Sequence, residues 1–504
     1  MTKYSSKEIS ATFFEGIASS ETSKSSNKFK CKCGVTRSQD LKKGYINLIS
    51  HIKTNHPDWE EVMSSKKSFN KSQSLFINQK ASTYYSWLRW IILDCHPFSF
   101  VERPLTRQYS NLENVSVDSL MKYLKLLTEV VEEKVAASLP EQFGLIIDGW
   151  TEGTTHFFGL VACFENGPLL LSISPPVDEE KYDAESQKLF VMDVLGLYSK
   201  SLDNVLFLVG DNAPVNFRLA DLMSVPFIGC ASHRFNLACK LFLKPYEQQL
   251  GKVSFIMGFI RGSVKQAAKL RTKTSLAPVL RNVTRWSSTF AMLKRFFEIE
   301  PFLDESEPTI AANYLTRTEI IELKKLLEDM NEFEVVTKQL QNPKCSLSEV
   351  RIFFDTVLES YPTMKKYLSE DSQIIHCPAF EKGIVKIQEG NCEDLSNSET
   401  EGMKIFRAEV DDITSEEENQ RLTLTEKVIK NKRRKISRNK NRFYKSLDFI
   451  PSTSNIVERL FSTAKLVLTD SRKSMTPFTF DCVIFLKFNE ALWDINTVAK
   501  LMEK

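Results

Sequence analysis

Phe143-Gly-Leu-Ile-Ile-Asp148-Gly-Trp150-Thr151, followed by His156-Phe-Phe-Gly-Leu-Val-Ala-Cys-Phe164, decides the reading of this 504-residue chain. Residues 145–147 form a short apolar run rich in β-branched side chains, which suits a strand buried on both faces. The run breaks at an acid and a glycine, which predicts Asp148 at the strand's mouth. The second run reads as a paired strand after a turn over 151–155, and 169–173 supplies a third. A carboxylate at the mouth of a central strand can hold a metal ion; a plain Asp-Gly turn is the alternative. Two further acids stand in comparable settings. Asp211 closes the apolar run Asn204-Val-Leu-Phe-Leu-Val-Gly-Asp211, and Glu458 lies in Ser452-Thr-Ser-Asn-Ile-Val-Glu458-Arg-Leu-Phe-Ser462.

Outward from that stretch, residues 141–245 read as three strands, a helix over 183–199, a strand over 205–209, a helix, a strand over 227–230 and a helix over 233–243. Such an order suits a sheet flanked by helices. Residues 246–446 are helical in pattern, as over 320–330 and 350–361. Within them 389–420 is acidic and poor in apolar residues, which reads as a loop. It leads into Lys430-Asn-Lys432-Arg433-Arg434-Lys435-Ile-Ser-Arg-Asn-Lys-Asn-Arg442, a run suited to phosphate binding or nuclear import, or else a solvated helix face.

Residues 447–495 read as a helical pair. Asn455 serves as N-cap, and Val457, Leu460, Phe461 and Ala464 form one stripe. Thr476-Pro477 opens the second helix, with Phe480, Ile484 and Phe488 inward. So much apolar surface must cover the sheet, meet a second subunit, or do both. Glu458, three residues after Asn455, also fits a capping box.

At the other end, 1–27 is rich in Ser and Lys and reads as flexible. Cys31-Lys-Cys33-Gly34 and, further on, His51 and His56 then offer four zinc ligands, with the histidines at the end of a helix. One residue between the cysteines, where two are usual, points either to a distorted knuckle or to a decayed one. Residues 1–60 hold ten Lys/Arg against six Asp/Glu, as a phosphate-contacting module would. Residues 61–140 read as helices, with Trp87, Trp90 and Ile91 on one face.

Composition sets wide bounds. The length allows roughly two to four domains. Charged residues at 26% and hydrophobic ones at 42% describe a globular, soluble protein, and a net charge of +3 does not by itself demand a polyanionic partner. Ten cysteines scattered through apolar segments suit a reducing compartment. The start has no apolar signal core, and no run is long enough to span a bilayer, so a membrane role is not expected.

Five blocks carry a resemblance. Asp148-Gly-Trp150-Thr after a strand, Gly210-Asp211-Asn212-Ala213, Cys230-Ala-Ser-His233-Arg-Phe-Asn236, Thr284-Arg285-Trp286 and Asn455-Ile-Val-Glu458-Arg-Leu-Phe461-Ser462 resemble, in order, the conserved blocks of hAT-superfamily DNA transposases. The match spans roughly residues 80–495. The Cys/His segment resembles the BED-type zinc finger that precedes such cores. The resemblance implies an RNase H-like α/β core (141–245) interrupted by an all-α insertion domain (246–446). A zinc finger (28–60) and a helical DNA-binding region (61–140) would precede it. A last catalytic helix with a dimerisation region (447–495) would follow.

It also implies cut-and-paste cleavage and transfer of double-stranded DNA in the nucleus by a homodimer or higher homo-oligomer. Asp148, Asp211 and Glu458 would hold Mg²⁺ or Mn²⁺, and Cys31, Cys33, His51 and His56 structural Zn²⁺. His233, Arg285, Trp286 and the basic residues Lys432, Arg433, Arg434 and Lys435 would meet DNA. In the family the matching tryptophan is associated with the DNA hairpin left at excision, whereas packing in a core is its plain alternative. Two Mg²⁺ ions roughly 3.5–4 Å apart would stabilise charge on the attacking and leaving oxygens of a phosphodiester. A domesticated, catalytically inactive DNA-binding dimer, acting as a transcriptional or chromatin regulator, would keep the same scaffold.

Overall fold

The computed structural model describes residues 6–16, 28–39, 44–56, 59, 79–176, 181–282, 284–407, 444–468 and 475–503. The chain divides into two compact units, 1–86 with 495–504, and 87–494. Among the described residues no helix is long and apolar enough to cross a membrane.

In the first unit, β1 (Phe14–Gly16), β2 (Lys28–Cys31) and β3 (Thr36–Ser38) form an antiparallel sheet beside helices α1 (Ser6–Phe13) and α2 (Ile46–Asn55). Of the start expected to be flexible over 1–27, residues 6–16 are ordered instead. Ile9, Phe13 and Phe14 bury with Leu48, Ile52 and Trp59 in one small core, and β1 pairs with β2. Three large apolar side chains among serines and lysines suffice to order residues 6–16, because they share this core with Leu48 and Ile52 of α2.

The second unit is mixed α/β. Its sheet holds β4 (Phe143–Glu152), β5 (Thr155–Cys163), β6 (Leu169–Ser174), β7 (Val205–Gly210) and β8 (Phe227–Gly229), in the order β6-β5-β4-β7-β8. The β4, β5 and β6 strands run antiparallel, whereas β4, β7 and β8 run parallel. Strand β4 does not stop at Asp148. It continues paired to β5 as far as Glu152 opposite Thr155, and Gly153 makes the turn at φ 61°. Only the parallel pairing ends early, its last rung being Ile146 with Val209. The acid and glycine interrupt the apolar pattern, but strand pairing uses backbone groups and persists through them.

The helices that position the sheet are α3 (Val117–Ser138), α4 (Ala184–Leu197), α5 (Pro214–Met223) and α6 (Ala231–Leu243). An all-helical stretch follows, including α7 (Trp286–Ile299), α8 (Arg317–Leu340) and α9 (Pro378–Glu389), around a core of Phe235, Leu250, Phe296, Phe333 and Phe354. The loop expected over 389–420 is instead a series of short helices as far as Phe406, whose ring is buried; 408–443 lie outside the described residues.

Helices α10 (Asn455–Val467) and α11 (Pro477–Phe488) close the unit. Val457, Leu460, Phe461 and Ala464 are buried, and α10 lies on β4 and β5. Each of the larger side chains contributes roughly 1.5–3 kcal/mol by leaving water. Helix α11 buries almost its whole circumference between β6 and α3, leaving Phe488 half-buried. The stripe read from the sequence thus covers the sheet, the first of the ways open to it, while Leu466 on α10 and Phe478 on α11 stay exposed.

Two side chains of this C-terminal segment complete the edge strand β6. Asp481 accepts the Ile173 amide at 3.1 Å, and Asn489 meets both the amide and the carbonyl of Leu170 at 3.2 and 3.0 Å. Tyr198 donates to the Leu171 carbonyl at 2.7 Å.

A buried ion pair joins the sheet's far edge to the helical stretch. Arg234 on α6 reaches Glu381 on α9 at 3.1 Å and also donates to the carbonyls of Tyr367 and Ser369, while Glu381 accepts the Gly229 amide. Removing one partner of such a pair strands the other charge away from water. Arg234→Met should therefore lower unfolding free energy by ~3–5 kcal/mol in urea titrations. A loss below ~1 kcal/mol would show that water reaches Glu381.

Candidate functional site

A cavity of about 480 Å³ opens at the end of β4 and β7, and Asp148, Asp211 and Glu458 all line it. Asp148 lies on β4 two residues past its last rung with β7, and Asp211 follows β7 directly. Parallel register thus sets the two acids side by side on strands ~4.8 Å apart. The Asp211 carboxylate is fixed by the Asn216 amide at 2.6 Å and the Ala213 backbone N–H at 3.2 Å, so it also opens α5.

Glu458 arrives from far along the chain, and three features bring it in. The Ser452 carbonyl accepts the Ala231 N–H at 3.0 Å, and the Ser454 N–H donates to the buried Cys230 sulfur at 3.3 Å. Trp150, two residues after Asp148 and therefore on the same face of β4, stacks on Phe461 with ring centroids 5.7 Å apart. Gly159, paired directly with Asp148, leaves the space in which α10 lies down: a Cβ there would sit 2.7 Å from Val457 Cγ1.

The N-cap of α10 is Ser454, not Asn455 as its spacing suggested. Asn455 is buried and donates to Ser232 Oγ at 2.9 Å and to the Leu340 carbonyl at 3.1 Å, anchoring the helix sideways. No capping box forms with Glu458, whose carboxylate instead meets Arg285 Nη2 at 2.7 Å.

Burial, with the charges of Asp211 and Glu458 behind it, pushes the Asp148 carboxyl up to about 7, and Arg285 offsets part of that rise. Three hard oxygen donors of like charge facing one cavity fit a hard divalent cation such as Mg²⁺ or Mn²⁺. They are an open set. Among the described residues, the potential metal ligands of any type drawn within 4.8 Å of one another are the sulfur and nitrogen donors of the Cys/His group in the first unit.

His233 on α6 and Arg285 and Trp286 at the start of α7 also line the cavity. The Arg285–Trp286 backbone is held by Asn236, which accepts the Trp286 N–H at 3.0 Å and donates to the Thr284 carbonyl at 3.3 Å. Trp286 is 3% exposed, packed with Phe235, Phe290 and Phe333, so in this conformation its ring serves the helical core. Lys432, Arg433, Arg434 and Lys435 lie outside the described residues. Sequence reasoning gave no role to Asn216, Asn236 or Lys465, and gave Asn455 only that of a cap. The three asparagines stand beside or inside the quoted blocks, and that adjacency was the available signal. Lys465 lies two helical turns after Glu458, on the same face, which was its own.

In the first unit, Cys31, Cys33, His51 and His56 form a group able to hold a metal ion such as zinc. Cys31 Sγ lies 3.2 Å from His56 Nε2, and Cys33 Sγ 3.3 Å from His51 Nε2. A tetrahedral zinc with bonds of ~2.3 Å to sulfur and ~2.0 Å to nitrogen separates them by roughly 3.5 Å. The single-residue spacer works because Gly34, at φ 91°, turns the chain sharply and donates to the Cys31 carbonyl at 2.8 Å. Burial lowers the His51 pKa, with Arg37 and His56 adding to it, which favours the neutral, ligating ring. The Asn55 amide, 3.1 Å from His51 Nδ1, orients that ring.

No protein-family model matches this chain, and no curated protein matches it.

Two outcomes follow from these geometries. The full-length protein should carry one equivalent of zinc, and Cys33→Ser or His51→Ala should drop it below half by metal analysis; unchanged zinc in both variants would dismiss the site. Asp148 holds its proton more tightly when folded, at about 7, than at its ordinary 3.8. Its contribution to stability is full below 3.8 and lost as pH rises towards 7. Without added divalent cation, Asp148→Asn should therefore unfold ~1–3 kcal/mol less readily than the parent at pH 8, with the difference vanishing near pH 4. Equal stability of the two at pH 8 would contradict the electrostatic account.

Proposed function

We propose that this chain is a DNA transposase of the hAT type, or a protein descended from one, cleaving and transferring DNA strands at the carboxylate cavity. The observation that carries the reading is the meeting of Asp148, Asp211 and Glu458, from three distant parts of the sequence, around one cavity. A mixed sheet flanked by helices, with two of the acids leaving its parallel half, supports an RNase H-like core. The all-helical stretch before Glu458 supports an insertion domain.

In this reading the three carboxylates hold Mg²⁺ or Mn²⁺, which supplies charge stabilisation for a phosphodiester in transit between two oxygens. The protein needs no covalent nucleophile of its own; water or a terminal 3′-hydroxyl attacks. Arg285 and Lys465 bring positive charge to the cavity where a DNA phosphate would lie, and His233 stands beside them. The Cys/His module, loaded with zinc, contributes DNA affinity. A nuclear location follows from the substrate, and a homodimer rests on the resemblance alone.

One observation favours a second reading, a DNA-binding protein without catalysis. The tight ligand cluster is the Cys/His group, while Glu458 is already paired with an arginine.

The test uses duplex DNA made from the sequences flanking the gene, with Mn²⁺. The parent should nick it, and Asp148→Asn, Asp211→Asn and Glu458→Gln should each reduce nicking by at least ~100-fold, since each removes a ligand. A Cys33→Ser variant should lose DNA affinity more than chemistry. Nicking that survives all three acid substitutions would refute the catalytic reading; DNA binding with no nicking by the parent would select the second.

A further inference from the structure

We infer that Arg285 is the built-in counter-cation of the carboxylate cavity. It is a positioning residue that a divalent cation must displace and that then turns to a DNA phosphate. The inference rests on the metal-binding reading of the cavity and adds to it a competition between protein and metal charge. The guanidinium meets Glu458 at 2.7 Å through one nitrogen, and within 4 Å no other carboxylate among the described residues pairs with it. Asp148 and Asp211 line the same cavity as this guanidinium.

The pair is built to open. The Arg285 side chain is 67% exposed and that of Glu458 34%, and an ion pair in contact with water is held weakly. The Arg285 backbone does not need to move, because Asn236 holds the peptides on either side of it to α6. The guanidinium can leave on its own side-chain torsions while α7 stays in place. A divalent cation at Glu458 would repel it, and Lys465 lines the same cavity. A forked guanidinium released at such a mouth suits two oxygens of one phosphate. Metal and DNA would then favour each other's binding through this one side chain, and the coupling must be reciprocal.

Mn²⁺ binding to zinc-replete full-length protein at pH 8, followed by the resonance of free Mn²⁺, tests the idea without any turnover. Arg285→Gln should bind Mn²⁺ several-fold more tightly than the parent, Arg285→Lys should stay near the parent, and Asp211→Asn should lose the site. A merely structural tether predicts the opposite for Arg285→Gln, namely unchanged or weaker binding with lower stability. If Asp211→Asn loses Mn²⁺ but Arg285→Gln gains nothing, the inference fails and the metal site stands. If Asp148→Asn and Asp211→Asn bind as the parent does, the reading of the cavity fails and takes the inference with it. At constant ionic strength, Ca²⁺ should tighten binding of a short duplex by the parent and not by Arg285→Gln; an equal gain in both would overturn the phosphate half. In the parent itself, the Arg285 Nε–H signal of nitrogen-labelled arginine must shift on adding Mg²⁺, and a static signal would overturn the displacement.

Discussion

Repulsion between three carboxylates is what the second unit is arranged to contain. Left to itself, a cavity facing Asp148, Asp211 and Glu458 would spread or take up protons, and the two neighbouring charges add to burial in pushing the Asp148 carboxyl up to about 7. The fold resists spreading by fixing each acid with a different device. Parallel strand register holds Asp148 and Asp211 as neighbours, and the Asn216 amide pins the second of them. Helix α10 is held from three sides, by the Cys230–Ala231 corner, by Asn455 reaching across to Leu340, and by Trp150 stacked on Phe461. The carboxylate on that helix is the one with a cation beside it.

These devices explain why the quoted blocks are longer than their acids. Gly159, across the strand pair from Asp148, is the gap that admits Val457 and Phe461. Trp150 is an anchor for the helix that delivers Glu458, and Asn236 holds the Arg285–Trp286 corner. Each spacing in these blocks places a support beside an acid, so the supports and the acids constrain one another. The Cys/His module solves its own problem in a similar way, with a glycine turn replacing the missing spacer and Asn55 holding a histidine ring.

Much of this was legible in the sequence, and the limits were physical. Strands β4 to β8 and their intervening helices follow apolar runs of strand or helix length, and the four potential zinc ligands stand out by type and spacing. The extent of β4 was misread because hydropathy broke at Asp148 while backbone pairing did not. Residues 6–16 were missed because three apolar residues matter only once α2 is there to cover them. The stripe on α10 was visible, but a sequence cannot say whether a sheet or a second chain covers it. Asn455 looked like a cap and proved to be a cross-brace, since its partners Ser232 and Leu340 lie more than a hundred residues away. The same distance hid the Arg234–Glu381 bond.

The treatment of strand β6 has a consequence for how this protein can be handled. Asp481, Asn489 and Tyr198 occupy backbone groups of Leu170, Leu171 and Ile173 that an adjoining strand would otherwise use. Side chains of α11 and its C-terminal end therefore stand in for a sixth strand, and the sheet cannot be extended on that side without first losing them. An edge of this kind, once stripped, templates intermolecular pairing. A fragment ending before 477 would present such an edge together with the apolar face of β6. Shortened versions of this chain would then be judged insoluble for a reason unrelated to the cavity, and the C-terminal segment is best regarded as the part that keeps the molecule from polymerising.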